Sequence, residues 1–141
     1  MAPPVTFLVQ DVPDPFRDRT RLRHWLQRVA ADHGSRIDRV CFVAMGDKAL
    51  LAYNRTYLQH DDYTDVITFP VESSNGASGD VLLSTDRIRE NAAAFGVSAR
   101  HELHRVMVHG LLHLLGHTDR TKAQKAAMRA LEDKYLAWLD R

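Results

Sequence analysis

The chain has 141 residues, 45% of them hydrophobic and 26% charged, which is the size and balance of one domain with one core, expected over residues 1–141. A formal net charge of +1 does not mark the whole molecule as a nucleic-acid binder, and no apolar run reaches the ~18 residues of a membrane span. A single cysteine, Cys41, excludes an internal disulfide and any cysteine-rich metal cluster.

In chain order, Met1-Ala2-Pro3-Pro4 is neither basic nor followed by a signal-type apolar core, which with the lone cysteine points to the cytoplasm. Residues 5–9 read as a strand, bounded by prolines at 3, 4, 13 and 15. Asp18 or Thr20 can cap a helix running to about residue 33, because Leu22, Trp25, Leu26, Val29 and Ala30 recur at helical spacing and Gly34 stops it. Segment 17–39 holds seven arginines (17, 19, 21, 23, 28, 36, 39) against three aspartates (18, 32, 38). That excess reads either as a solvated helix face or as a surface that follows a phosphate backbone. Residues 39–44, apolar after Arg39, predict an interior strand, with Cys41 as a small core residue.

Asp47 is placed to cap the next helix after Gly46, with Ala49, Leu50, Ala52, Tyr53 and Tyr57 turned inward and Asn54-Arg55 near its end. A polar connection over 60–65 leads to a strand over 66–71, which Pro70 puts at a sheet edge or ends. A small polar loop over 72–78 precedes a strand over 79–84 and a helix from Thr85 or Asp86 to Phe95, stopped by Gly96. Ser98 caps a helix from 99 to about 115. A last helix over 121–139 has Ala126, Ala127, Met128, Leu131, Tyr135, Leu136 and Trp138 as its inner side. The order β-α-β-α-β-β-α-α-α predicts an α+β fold, a small mixed four-stranded sheet packed against about five helices.

The chemistry concentrates in the helix over 99–115. His109 and His113 are four apart in an almost wholly apolar run, so both imidazoles lie on one face of a buried helix. Desolvated imidazoles need partners, and a shared metal ion satisfies both at once. Gly116 fits a helix end in a left-handed conformation, and the returning chain brings His117 or Asp119 back as a third donor. Three protein ligands with one open position is the arrangement of a catalytic zinc. Helical zinc sites of metalloproteases carry a glutamate as general base directly after the first histidine. Here that residue is Gly110, which argues against peptide hydrolysis by that route.

Three segments together resemble the YbeY family of bacterial endoribonucleases: Asn54-Arg55-Thr56-Tyr57-Leu58 continuing through Thr64-Asp65-Val66-Ile67-Thr68-Phe69, then Gly79-Asp80-Val81, then His109-Gly110-Leu111-Leu112-His113-Leu114-Leu115-Gly116. The resemblance implies a metalloprotease-like fold around a central zinc-binding helix, with one Zn2+ per chain. It implies single-strand-specific cleavage of RNA in small-subunit ribosomal RNA maturation and ribosome quality control, and contact with the ribosome or its assembly factors. It adds Arg55 as the cleft arginine, suited by its planar fork to a phosphate. The family pattern commonly ends Gly-Tyr-Asp-His, with the last histidine as third ligand ten residues after the first. Ten from His109 lands on Asp119, and His117 takes the tyrosine's place, so Asp119 is the expected third ligand beside His109 and His113, and His117 the alternative. Two other readings stay open: a non-catalytic assembly factor stabilised by zinc, and a metal-dependent hydrolase of another substrate.

Overall fold

The computed structural model describes residues 3–139, so the reading of Met1 and Ala2 lies outside the described residues. The elements are β1 (Val5–Val9), α1 (Arg19–Asp32), β2 (Ile37–Met45), α2 (Asp47–Leu58), β3 (Val66–Pro70), β4 (Ala77–Ser84), α3 (Thr85–Phe95), α4 (Ala99–Leu114) and α5 (Lys122–Leu139). The sheet order is β1-β2-β4-β3, with β1, β2 and β4 parallel and β3 antiparallel to β4. This is the mixed four-stranded sheet with five helices that the element order predicts. Among the described residues no helix is long and apolar enough to cross a membrane.

Position in the sheet follows from side-chain type. β2 is interior and apolar on both faces: Val40, Phe42 and Ala44 enter the main core, while Met45 joins Leu50, Ile67 and Leu82 in a smaller one under α2. β3 is an edge strand, and Pro70, which has no N–H to give a ladder, stands at its last position opposite Gly79. The main core lies between the sheet and α1, α4 and α5, where Met107, Leu111 and Leu112 of α4 are fully enclosed. Truncating any one of them to alanine would cost about 2–5 kcal/mol.

Gly110 explains why α4 settles so close to β4. A Cβ at this position would lie 2.5 Å from Cγ1 and 3.1 Å from Cγ2 of Val81, so only a residue without a side chain fits there. The helix lies over β4 and the edge strand β3.

Several local expectations need correction. Gly46, not Asp47, is the N-cap of α2. Asp47 is its first residue, and its carboxylate instead accepts from the Ser84 hydroxyl and from Arg87, while its N–H donates to Asp86. Asp18 precedes α1 in a left-handed conformation and makes no side-chain cap bond. Ala52, Tyr57, Ala126 and Ala127 face solvent, because α2 and α5 each bury a narrow stripe and these residues flank it. Cys41 is half-buried, on the face of the sheet that α2 covers only in part.

Candidate metal centre

α4 begins at Ser98, whose hydroxyl accepts from the His101 N–H at 3.0 Å, and carries Glu102 in its first turn. It ends in a paired-bond cap. The Gly116 N–H reaches the carbonyl of His113 at 3.0 Å, and the His117 N–H that of Leu112 at 3.0 Å, with Gly116 at φ 104°. The chain is thereby turned back along the helix, which returns residue 119 to the level of residues 109 and 113.

Three side chains converge. Nε2 of His109 and Nε2 of His113 are 3.0 Å apart, and Oδ2 of Asp119 is 3.4 Å from each. A tetrahedral ion with bonds of about 2.0–2.1 Å would separate its donor atoms by roughly 3.3–3.4 Å, so this triangle has the dimensions of one face of such a site. Among the described residues, these three form the one such group of histidine, cysteine and carboxylate donors.

The opposite edges of the two rings decide what the facing nitrogens can be. Nδ1 of His113 lies 3.0 Å from the carbonyl of His117, which can only accept. Nδ1 of His109 lies 2.7 Å from Oε2 of Glu132. Both Nδ1 atoms therefore donate, and the two Nε2 atoms are turned toward each other and toward a carboxylate. Two imidazole nitrogens and a carboxylate oxygen converging at these distances are a donor set that fits a divalent ion. Burial opposes charging of His109, but the hydrogen bond and charge of Glu132, with Asp119 and Asp65, outweigh it and raise its pKa above the ordinary histidine value.

Glu132 is 5% exposed, and its second oxygen accepts from Arg105 at 3.0 Å. Arg105 also pairs with Asp133 at 2.6 Å. Such an outer partner orients a ligating imidazole and fixes its tautomer. His117 faces the other way. Its Nε2 is 2.8 Å from Nε2 of His33, at the end of α1, and Nδ1 of His33 lies 2.9 Å from the carbonyl of Val29 and 3.3 Å from the Tyr135 hydroxyl. Tyr135 in turn donates to Asp32 at 2.8 Å. Burial and the neighbouring His33 and His113 lower the pKa of His117. The geometry thus groups Asp119, not His117, with the two helical histidines.

Beside His109 opens a cavity of about 340 Å3 between α3, α4 and α5, whose walls include Asp65, Glu102, Arg129 and Asp119. Burial raises the pKa of Asp65 and of Glu102.

Comparison with known proteins identifies the family of the chain. Residues 11–140 match the family model described as endoribonuclease YbeY. The chain belongs to the YbeY family. An endoribonuclease YbeY of Bacteroides thetaiotaomicron is 40% identical over 133 residues, covering 94% of this chain and 97% of the relative. One of Cytophaga hutchinsonii is 39% identical over 134 residues, covering 94% of each chain. The fold resembles the solution structure of TM1509 from Thermotoga maritima, with a TM-score of 0.66 at 21% identity over 96% of this chain and 88% of that one.

Within this YbeY fold, Arg55 lies in the last turn of α2, exposed and paired with Asp61. Neither Arg55 nor any of the seven arginines between 17 and 39 lines the cavity at His109. Several of those seven have local work instead. Arg23 donates to the carbonyl of Val5 at 2.9 Å, Arg36 to that of Asn75 at 2.7 Å, and Arg28 lies over the Trp138 ring. Sequence reasoning missed Glu132. Its signal was available: a carboxylate within the apolar stripe Met128, Tyr135, Leu136 and Leu139 of α5 has to be paired.

Proposed function

We propose that this chain is a zinc-dependent endoribonuclease that cuts single-stranded RNA, acting in the cytoplasm on small-subunit ribosomal RNA during its maturation and in ribosome quality control. It would meet its substrate on the ribosome or with ribosome assembly factors. The observation that carries the reading is the triangle of His109 Nε2, His113 Nε2 and Asp119 Oδ2 in a chain of an endoribonuclease family.

In this reading His109, His113 and Asp119 hold one Zn2+ per chain, and Glu132 and the His117 carbonyl keep the two rings in the tautomer that offers Nε2. When bound, the ion supplies Lewis acidity toward a phosphoryl oxygen and lowers the pKa of a water in the position the protein leaves open. The chain supplies the rest. Gly110 leaves no carboxylate where a metalloprotease holds its general base, which favours phosphodiester over peptide chemistry. Arg55 stands at the end of α2, where the chain enters the connection that closes on Asp65 at the cavity wall. Its guanidinium would leave Asp61 for a substrate phosphate and stabilise the charge that grows there.

The test is elemental analysis of the purified protein together with cleavage of a single-stranded RNA before and after chelation. One zinc per chain and cleavage that returns on adding zinc are expected. His113→Ala should leave zinc well below one per chain. Undiminished zinc in that variant, or cleavage indifferent to chelation, would overturn the reading.

A further inference from the structure

The cavity at His109 has a division of character that the reaction itself does not require. Its interior is acidic, with Asp65, Glu102 and Glu132. Its other lining residues include Phe95, the last residue of α3, and Lys125 and Arg129 on the first half of α5. Phe95 is 55% exposed, so its ring is not part of the core. The Arg129 guanidinium lies 5.8 Å from the centre of that ring. Arg105, the remaining cation of the cavity, is engaged by Glu132 and Asp133, whereas Lys125 and Arg129 have no ion pair with a carboxylate among the described residues.

An exposed aromatic face with flat and point cations beside it is the combination that holds single-stranded nucleic acid: the ring stacks a base of any identity, and the cations take the flanking phosphates. A volume of about 340 Å3 is at the small end of ligand pockets, room for one nucleotide rather than several. Because His109 and Asp119 line the same cavity, a nucleotide seated there is next to the metal donors.

We infer that Phe95, Lys125 and Arg129 form a nucleotide subsite of the cleavage cleft, in which Phe95 stacks one base next to the scissile phosphate and Lys125 and Arg129 hold the phosphate beyond it. This inference rests on the endoribonuclease reading for its substrate. It gives the enzyme a preference for an unpaired base at that position without a preference for which base, since a ring face reads stacking and not the hydrogen-bonding edge.

The experiment uses the full chain loaded with zinc and a short, fluorescently labelled single-stranded RNA. Binding is followed by anisotropy and cleavage by steady-state kinetics. Phe95→Ala should weaken binding about tenfold and raise KM by a similar factor, with zinc content unchanged. Phe95→Trp should restore both, and the Phe95→Ala loss should vanish on a strand made abasic throughout. Arg129→Glu should weaken binding about tenfold and reduce the dependence of affinity on salt. Unchanged binding in Phe95→Ala, or a loss that Phe95→Trp does not restore, overturns the subsite. If the unsubstituted chain binds this RNA but cuts none, the endoribonuclease reading fails, and the anisotropy series still decides the subsite.

Discussion

Oε2 of Glu132 lies 2.7 Å from Nδ1 of His109, joining α5 to α4 at the point where the three donor atoms meet. A buried carboxylate between a histidine and Arg105 is expected to act on the metal through the ring it holds. Glu132→Gln keeps the volume and removes the charge. It should weaken zinc binding by about 10- to 100-fold, measured by competition with a chelator of known affinity. Equal affinity in the two proteins would leave Glu132 with a packing role only.

Asp119 and His117 are separated by one pair of substitutions. Asp119→Ala should strip zinc from the protein during dialysis, because two imidazoles alone hold it weakly. His117→Ala should retain it to within a few-fold, since the contact to His113 comes from its backbone carbonyl. Retention in the first variant and loss in the second would reverse the assignment.

Gly110→Ala places a methyl group against Val81. Alanine is the better helix former, so propensity alone would stabilise α4 by about 1 kcal/mol. The clash outweighs it, and a net loss of about 1–3 kcal/mol is expected in chemical denaturation. Combining it with Val81→Ala should cost less than the sum of the two single changes, a coupling that a double-mutant cycle reads directly.

Glu102 gives a pH dependence. It is 3% exposed, and burial raises its pKa against the opposing field of Arg105. A carboxyl group whose folded pKa is raised binds its proton more tightly in the native state. Its contribution to stability is full below the unfolded value and is lost as pH rises through the folded one. Glu102→Gln should therefore stabilise the protein near pH 7 and make little difference near pH 4, as urea midpoints at the two pH values would show. A gain of equal size at both would assign the effect to something other than ionisation.

Much of this was legible along the chain. Alternation and apolar runs marked the strands, and the buried face of α1 is the set Leu22, Trp25, Leu26, Val29 and Ala30 that helical spacing picks out. The spacing of His109 and His113, with Gly116 beyond, was enough to draw the two rings together. What periodicity could not supply was the environment across elements. Tyr57 matches a helical repeat but stacks on Tyr53 and meets the edge of Phe69 on the surface, because the sheet below α2 covers only one side of that helix. Arg55 pairs with Asp61 of the connection after α2, a partner that composition does not single out, since a loop's path is not written in it. Glu132 stands 23 residues from His109, and nothing local announces which histidine a buried carboxylate on another helix will meet.

The pairing of His33 with His117 has a consequence for anyone recombining this chain with its relatives. The first third of the molecule carries none of the recognisable motifs and invites replacement as a mere cover. Yet His33, at the end of α1, contacts His117 in the connection that carries Asp119. A hybrid built by grafting a foreign N-terminal portion would leave the His117 ring without His33, while the backbone carbonyl that His117 gives His113 stays in place.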